Sequence, residues 1–596
     1  MITIGVAAAL LLVLMTWGLR WRRASQTRRD WHNCLLLVTI LGLVYAALHN
    51  GRLVPGGGDD LFYLSVARNL ARSGRYIWNG SPVTKVPPAW PLAISWLMRL
   101  STLFAVLDLL PMLLCLLAAA IWYWVLRNFA SPARSFTVAL IGATLFHWHR
   151  SSCHFYSEAM FSPLLAGALL VALRIRDGKG GARRILLLVL LCASMVMVRY
   201  AAVLFWPVIA GALVSKQLRL PWDRRVLAAA LTSLAFAGTF FGVWTALQTN
   251  ARKELARLQA QLAELPEGSA GSAALQAYAS ATDTDLAKRS RKLKRLTSPQ
   301  IATRLRQTLA SGRWLARLLW PPTQLDRRWG ALALVANTAG WALIALFLFA
   351  GLEAARKGEW IWMGEALHCA AFAALWSVPN GRYLAPTAPL LLLGIWRGAE
   401  EVSRLPWLAR YSRHVCAANR VLLASVLLCN GLIWAFSAAV VHSERFQTLC
   451  MAGEYGELVA VAEFLTSNSL ADGGLAIAPA TSSGQRRYAW HRLASRTANL
   501  LTDRIVVTCP PGLAECPPND ELVRWAGKCA VRFYLGRAPS APARQWHIRL
   551  PSSEERTSGP GSVPAFFELY EFSEGEVHKV RLPSKAGEVT RVPGLD

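Results

Sequence analysis

Two adjacent carboxylic acids are the first residues of this sequence whose type and spacing suit chemistry. Asp59 and Asp60 follow three glycines and open the pattern of a short helix, in which Val66 and Leu70 lie on one face behind Phe62. Either acid alone would be explained as the N-cap of that helix. Two acids at the mouth of an apolar segment are costly to keep beside hydrocarbon. The pair therefore favours a site where a carboxylate takes a proton from a hydroxyl or amine.

Polar side chains that could assist such a carboxylate lie near the ends of several apolar segments. They are cations, acids, histidines and tyrosines: Lys85, His149, Arg150, His154, Tyr156, Glu158, Arg199, Tyr200, Arg382 and Tyr383. If these ends share one membrane face, Lys85 and the arginines would hold a phosphate leaving group. Taken singly, Arg199 and Arg382 are more simply explained by lipid headgroups, whereas a helix start and a functional role explain Glu158 equally well. The set as a whole favours a catalytic site.

Each predicted role can be assigned to particular residues. The expected catalytic acids are Asp59, Asp60 and Glu158. The cations expected at a phosphate are Lys85, Arg199 and Arg382. The side chains expected to contact substrate are Tyr63, His154, Tyr156 and Tyr383. Metal-type Cys/His spacing is absent from the sequence, so no metal ligand is predicted and no cofactor is expected, although a requirement for a divalent cation stays open.

Composition restricts the class of protein. The chain has 596 residues, of which 54% are hydrophobic, and it carries 25 tryptophans and a net charge of +29. Many apolar runs approach the roughly 20 residues needed to cross a hydrocarbon layer about 30 Å thick. The basic residues cluster in short loops between those runs, as expected for cytoplasmic loops and for contact with anionic membrane lipids. The charge therefore indicates orientation in a membrane, and no nucleic-acid partner is predicted.

The apolar runs predict an α-helical polytopic protein with about twelve transmembrane helices. The predicted spans are 2–18, 34–50, 103–126, 136–150, 157–174, 185–198, 200–216, 226–248, 330–352, 360–378, 383–399 and 421–442. The distribution of basic residues puts both termini outside the cytoplasm. The first run lacks the flanking residues of a cleavable signal.

The sequence divides into two predicted domains. Residues 1–448 form a membrane domain with a first outer loop, 51–102, and a second large outer segment, 249–325. Within the first loop, 89–101 has the pattern of a helix lying in the membrane interface. Within the second outer segment, the basic run 288–296 is either a solvent-exposed helix face or a surface that attracts anionic headgroups and lipid-linked phosphate.

Residues 449–596 are predicted to form an extracytoplasmic mixed α/β domain. Its pattern contains one helix followed by five strands, at 456–468, 473–480, 503–510, 545–550, 566–572 and 577–583. Cys509 and Cys516 lie in a loop rich in Pro and Gly and could pair as a disulfide.

These motifs together resemble the GT-C superfamily of membrane glycosyltransferases, and more narrowly the protein O-mannosyltransferases and lipid A aminoarabinose transferases. The matching stretches are D-D-L-F-Y-L-S-V-A-R-N-L at 59–70, G-x-P-V-T-K-V-P-P at 80–88, Y-S-E-A-M-F at 156–161, V-R-Y at 198–200 and R-Y-L-A-P at 382–386. The resemblance implies transfer of a sugar from a polyprenyl phosphate or diphosphate, usually with inversion, on the outer side of the cytoplasmic (inner) membrane.

The resemblance also implies roles for individual residues. Asp59 matches the acid regarded as the catalytic base, and Asp60 its acidic partner. Lys85 matches the lysine that approaches the donor phosphate, Glu158 an acid that contacts acceptor or sugar, and Arg382 a late-loop arginine. The sequence departs from the family in its Asp-Asp pair, usually Asp-Glu, and in K-V-P-P instead of K-P-P. The sugar and the acceptor, whether protein, lipid or polysaccharide, are therefore not implied.

Three other classes of protein remain as alternatives. A transporter or lipid flippase would carry its charges within helix middles and show internal repeats, whereas here the acids cluster at span ends and no repeat is found. A polymerase or ligase of surface polysaccharide would also use polyprenyl-linked donors but would depend on outer-loop arginines instead of an acid pair. A structural or sensory membrane protein would give no reason for adjacent acids at positions 59 and 60.

Overall fold

The computed structural model describes the membrane part of the chain and several strands near its end. The described residues are 26–49, 59–78, 81–84, 86–179, 181–214, 224–264, 318–319, 330–375, 381–441, 474–477, 506–508, 531–537, 567–573 and 576–580. Several predictions fall outside them: span 2–18, Lys85, the basic run 288–296, helix 456–468, strand 545–550 and the pair Cys509 and Cys516.

Helices dominate the described part of the chain. They are α1 (Gln26–Leu48), α2 (Asp59–Ser73), α3 (Ala89–Leu100), α4 (Phe104–Leu107), α5 (Leu109–Leu126), α6 (Pro132–Thr144), α7 (Phe146–Cys153), α8 (Glu158–Arg174), α9 (Ala182–Val198), α10 (Trp206–Leu213), α11 (Arg224–Glu264), α12 (Gly330–Arg356), α13 (Ile361–Leu375), α14 (Ala388–Ser403) and α15 (Ser412–Val441). Short 3₁₀ segments at Tyr200–Phe205, Gly381–Tyr383 and Ala385–Thr387 connect some of them.

The described helices confirm a multi-pass membrane protein. Among them, six stretches are long and apolar enough to cross a membrane: Thr27–Leu48, Phe104–Leu126, Glu158–Gly178, Arg225–Arg257, Thr338–Arg356 and Ser412–Ala435. Every predicted span after the first falls on a helix or on two consecutive helices. The other predicted spans correspond to helices that are shorter than these six, such as α9, α13 and α14.

The segment predicted as the fourth span differs from expectation because it is two helices. α6 and α7 meet at Leu145, whose backbone is extended, with φ −60° and ψ 144°. A break inside an apolar region frees backbone groups that need partners. Two side chains of α15 supply them: the Phe146 amide donates to Asn430 Oδ1 at 3.0 Å, and Trp434 Nε1 donates to the Thr144 carbonyl at 2.7 Å.

The first outer loop contains the two short helices that the sequence predicts. α2 ends at Ser73, and Gly74 follows with φ +68°, a backbone conformation that glycine adopts without strain. α3 exposes Trp96 and buries Trp90, so one face packs on the protein and the other is free to meet lipid. Between them a small hairpin pairs β1 (Ile77–Trp78) with β2 (Ser81–Pro82).

Five strands near the end of the chain form one mixed sheet. They are β3 (Gly474–Ile477), β4 (Val506–Thr508), β5 (Val531–Arg537), β6 (Phe567–Ser573) and β7 (Glu576–Val580), in the spatial order β4-β3-β5-β6-β7. β3 is parallel to β4 and β5, whereas β5, β6 and β7 are antiparallel. The central strand β5 was missed in the sequence, although its V-R-F-Y-L run is rich in β-branched and aromatic residues.

Candidate functional site

A buried carboxylate gathers two arginines at the start of α8. Glu158 is the first residue of that helix and is 1% exposed. Its Oε1 lies 2.6 Å from Arg199 Nη1 and 2.6 Å from Arg382 Nε. The position suits an anion because the unpaired amides and the dipole of a helix start are electropositive. Burying a charge is costly unless an opposite charge lies beside it. The contacts between Glu158 and the two guanidinium groups therefore allow these charges to be buried together.

Arg382 extends this cluster to the acid pair. Its Nη2 lies 3.1 Å from Asp59 Oδ2, so a single guanidinium bridges Asp59 and Glu158. The Arg382 side chain is 13% exposed and the Asp59 side chain 29%. Burial disfavours the charged arginine, but the carboxylates of Glu158 and Asp59 outweigh that effect and raise the pKa of Arg382. The bridge is therefore a permanently charged contact between α2 and α8.

The two acids of the pair occupy different environments. α2 begins at Asp59, so both side chains belong to its first turn, where the N-cap prediction had put one of them just before the helix. Consecutive helical residues point about 100° apart, which separates the two carboxylates. Asp60 is buried, with its side chain 2% exposed, and its Oδ2 lies 4.0 Å from His154 Nδ1. Asp59 is consequently the more accessible acid.

Aromatic rings surround the guanidinium groups. The Arg382 guanidinium lies 4.7 Å from the ring centre of Tyr156 and 5.4 Å from that of Tyr383. The Arg199 guanidinium lies 5.0 Å from the same Tyr383 ring. Arg150 Nη2 donates to the Tyr156 hydroxyl at 2.7 Å. Cation–π contacts of this kind fix the planes of the guanidinium groups, and so the directions in which their N–H groups point.

Tyr63 connects α2 to the segment before α8. Its hydroxyl donates to Ser157 Oγ at 3.2 Å. Burial, together with the nearby Asp59 carboxylate, raises the pKa of Tyr63 to about 12. Burial and the charge of Asp60 raise the pKa of Tyr156 as well. Both hydroxyls therefore keep their protons at physiological pH; Tyr63 donates to Ser157, and Tyr156 accepts from Arg150.

The sequence did not single out some residues that shape this site. Trp90, 0% exposed, donates from Nε1 to the Phe155 carbonyl at 2.9 Å and ties α3 to the 154–157 segment. Tyr76 donates to the carbonyls of Val86 and Pro87 at 2.9 and 3.2 Å. The sequence did contain a signal for Trp90, since it places an indole in an amphipathic helix. A buried indole N–H needs an acceptor, so a contact with a neighbouring segment could have been predicted.

Other predicted residues lie apart from the cluster or outside the described part. His149 contacts Cys153 and packs at a tilt on Trp434, with ring centres 4.4 Å apart. Tyr200 packs edge-on against Phe240. Lys85 is not among the described residues, so its role at a phosphate stays a prediction. No group of three or more His, Cys, Asp and Glu side chains converges within the described ranges.

Comparison with solved structures decides the fold. The oligosaccharyltransferase of Archaeoglobus fulgidus in the apo form matches with a TM-score of 0.50 at 11% identity, over 85% of this chain and 69% of that chain. The chain therefore shares the fold of that oligosaccharyltransferase. ArnT from Cupriavidus metallidurans bound to undecaprenyl phosphate also matches, with a TM-score of 0.44 at 12% identity, over 87% of this chain and 99% of that chain. No protein-family model matches the chain, and no curated protein matches it.

Within this fold, the acids and arginines of the cluster come from elements far apart in sequence. Asp59 opens α2, Glu158 opens α8, Arg199 follows α9, and Arg382 precedes α14. Ion pairs of a different kind lie at the opposite helix ends, where Arg134 of α6 contacts Glu400 of α14 at 2.7 Å. The cluster therefore belongs to one end of the helix bundle.

Proposed function

We propose that this chain is a membrane glycosyltransferase that moves a sugar from a polyprenyl-phosphate donor to an acceptor on the extracytoplasmic face of the cytoplasmic membrane. The observation that carries the proposal is the bridge by Arg382 between Asp59, at 3.1 Å, and Glu158, at 2.6 Å. The bridge joins the partly exposed carboxylate of Asp59 to the Arg382 guanidinium, whose charge is balanced by Glu158. Transfer of a sugar from phosphate needs both a base and a stabiliser of the leaving group.

Asp59 is the proposed general base. Its side chain is the most exposed of the three acids, 29% against 2% for Asp60 and 1% for Glu158. A base must be reachable by an incoming hydroxyl or amine, which the two buried acids are not. Asp59 takes the proton of that nucleophile as the new bond forms at the anomeric carbon. The bond to the phosphate oxygen breaks on the opposite face, with inversion.

Arg382 and Arg199 are the proposed stabilisers of the departing phosphate. Arg382 is shared between Glu158 and Asp59, and a donor phosphate competes with Asp59 for its exposed N–H groups. When the phosphate takes that contact, Asp59 loses a cationic neighbour and becomes more basic. Glu158 keeps both arginines in place throughout. Lys85 is expected to add a point charge at the phosphate.

Tyr383 and His154, which are both partly exposed, are the proposed substrate contacts. The buried Tyr63 and Tyr156 support them. Tyr156 and Tyr383 flank the Arg382 guanidinium, and Tyr63 lies one turn along α2 from Asp59. Aromatic faces bind the apolar face of a sugar ring, while hydroxyls bond to its polar edge. His154 faces Asp60 at 4.0 Å and sets the orientation of that buried acid. The lipid tail of the donor lies along the apolar outer surface of the helices.

The orientation of the chain follows from its charges. Basic residues gather at the helix ends away from the cluster, as with Arg127 after α5, Arg134 in α6 and Arg404 after α14. Loops rich in Arg and Lys stay in the cytoplasm, so the cluster faces outward. Residues 1–448 then act as the catalytic membrane domain and 449–596 as an extracytoplasmic domain.

The acids of the site do not make up a divalent-cation site on their own. Asp59 is already bonded to Arg382, and Asp60 is buried beside His154. Hard cations prefer six or more oxygen ligands, several of them carboxylates free of other cations. The proposed mechanism therefore uses the arginines for charge stabilisation and routes no step through a metal.

The decisive experiment supplies purified protein with polyprenyl phosphates carrying different sugars, together with candidate protein, lipid and polysaccharide acceptors. Release of free polyprenyl phosphate and labelling of one acceptor are the expected results. The matched control is Asp59→Asn, which keeps the shape of the side chain but removes its basicity. Absence of release from every donor, in preparations whose folding is verified, would refute the proposal.

A further inference from the structure

Helix α13 carries two buried polar side chains that the proposed mechanism does not use. Glu365 and His368 are each 0% exposed, in a helix whose sequence is otherwise mostly apolar. Within the described part of the chain, Glu365 Oε2 and His368 Nε2 have no hydrogen-bond partner. Ionisable groups at membrane depth are expensive, so their presence points to a function.

His368 is bonded to the segment that follows Arg199. Its Nδ1–H donates to the carbonyl of Leu204 at 2.9 Å. Its ring packs on Phe205, with ring centres 3.9 Å apart. Leu204 and Phe205 end the 3₁₀ segment Tyr200–Phe205, which begins directly after Arg199. Phe205 also contacts Phe161 of α8, at 4.9 Å between ring centres. His368 therefore contacts the segment that directly follows the first arginine, Arg199.

The same helix face reaches the segment that carries Arg382. The Glu365 carboxyl lies beside the hydroxyl of Thr387, which donates to the Leu384 carbonyl at 3.2 Å. The ring of Phe372 stacks on that of Tyr383, with centres 5.6 Å apart and an angle of 21° between the planes. Both contacts fall within residues 381–387.

Three residues of α13 thus share one face and contact both arginine-bearing segments. Glu365, His368 and Phe372 are spaced i, i+3 and i+7, which aligns them on one side of a helix. Short 3₁₀ segments have poor internal hydrogen-bond geometry and cannot hold a side chain in place alone. Functional groups on such segments need support from packed neighbours on rigid elements.

We infer that Glu365, His368 and Phe372 are positioning residues that hold Arg199 and Arg382 against Glu158 and so set where the leaving phosphate is bound. This inference rests on the proposed glycosyl transfer. Buried ionisable residues in a helix middle also occur along transport pathways. Here, however, His368 bonds to Leu204 in the segment after Arg199. Glu365 lies beside Thr387 in the segment after Arg382. The Glu365 carboxyl is also bonded by Cys369 of its own helix, which fixes it on this face.

The first test compares His368→Leu with His368→Asn and with Leu367→Ala. Leucine removes the donor to Leu204, asparagine keeps an N–H near the position of Nδ1, and Leu367 is 55% exposed on another face of the same helix. Displacing a catalytic group by about 1 Å costs up to about 100-fold in rate. We therefore expect H368L to lower kcat for transfer by about 10- to 100-fold with little change in acceptor KM. H368N should recover much of that loss, and L367A should match the unaltered protein.

Amide hydrogen exchange gives a second readout that does not depend on activity. The amide of Ala202, bonded to the Arg199 carbonyl at 3.0 Å, reports on the first segment. We expect H368L to speed exchange in residues 200–205, and Phe372→Leu or Glu365→Gln to speed exchange in 381–387. L367A should change neither.

The outcomes separate this inference from the proposed function. If the unaltered protein transfers no sugar, the proposed function fails, while faster exchange in the two segments still shows that α13 anchors them. If the unaltered protein is active and H368L retains full activity and normal exchange, the positioning role is wrong. Equal losses in L367A and H368L would mean general destabilisation and would also overturn it. Should H368L not fold, F372L and E365Q decide the matter: faster exchange in 381–387 supports the positioning role, and unchanged exchange in both overturns it.

Discussion

Arg382 Nε and Glu158 Oε1 lie 2.6 Å apart, although the two residues come from distant parts of the chain. The same guanidinium reaches Asp59 through Nη2. One side chain thus joins the acid at the start of α2 to the acid at the start of α8. Its planar group with several N–H donors makes this double contact possible, which the single ammonium of a lysine cannot reproduce in the same geometry.

Replacing Asp59 with asparagine tests the proposed base. The amide keeps the size of the side chain and accepts from Arg382, but it cannot take a proton. A positioned general base contributes roughly 10²–10⁴ in rate, so transfer should fall by that factor. The measurement is initial velocity with a labelled donor, at equal amounts of folded protein.

Asp60→Asn serves as the comparison for that variant. Asp60 is buried beside His154, so its replacement is expected to disturb stability more than D59N does. Transfer by D59N at the rate of the unaltered protein would exclude Asp59 as the base, whatever the behaviour of D60N.

Replacing Arg382 with lysine should add a pH dependence that the unaltered protein lacks. Burial alone would lower the pKa of Arg382, but Glu158 and Asp59 raise it, so the guanidinium stays charged at every pH where the protein is folded. A lysine ammonium has an ordinary pKa of about 10.4 and loses its charge at alkaline pH. R382K should therefore show lower activity at neutral pH and a further loss as the pH rises towards about 10.

The check is a pH–rate profile of R382K beside that of Arg397→Lys. Arg397 contacts Glu359 at 2.7 Å at the opposite end of the bundle, so its replacement should leave the profile unchanged. Identical alkaline limbs in the unaltered protein and R382K would contradict a direct role for Arg382 in binding phosphate.

Tyr63 should make the stability of the protein fall more steeply as the pH becomes alkaline. Its folded-state pKa is raised to about 12, mainly by burial, whereas an exposed tyrosine ionises near about 10. The contribution is therefore fully present below pH of about 10 and is lost as the pH rises from there through about 12. Tyr63→Phe removes this pH-dependent contribution. The unfolding free energy of the variant should therefore fall less steeply between pH of about 10 and about 12 than that of the unaltered protein. Thermal unfolding of both proteins between pH 8 and about 11 checks it. Equal slopes would mean that Tyr63 titrates normally.

Much of the fold was predictable because apolar length and charge distribution are local properties of the sequence. Spans, the helix after Asp59 and its end at Gly74 all follow from patterns of that kind. The break at Leu145 was not predicted, since it depends on Asn430 and Trp434, which meet the freed backbone groups only after folding.

The residues of the site were predictable by type, but their partners were not. Polar groups at span ends stand out from an apolar background, which is how Asp59, Glu158 and Arg382 were found. That Arg382 pairs with Glu158 depends on how α8 and α14 pack, and nothing in the local pattern fixes this. Glu365 was overlooked because a single acid hardly alters the hydropathy of α13, although an acid in an apolar helix was itself a signal.

Two ion pairs of this chain that differ in burial should contribute unequally to its stability. Glu158 is 1% exposed and neutralises Arg199 and Arg382, so Glu158→Gln leaves buried guanidinium charge without its main partner. Removing one member of a buried pair costs about 3–5 kcal/mol. The Arg134–Glu400 pair is more exposed, at 44% and 24%, and Glu400→Gln should cost about 0–1 kcal/mol. Unfolding of both variants in detergent, monitored by tryptophan fluorescence, measures the difference. Equal costs would show that Glu158 does not compensate the two arginines, and the proposed support for the leaving phosphate would fail with it.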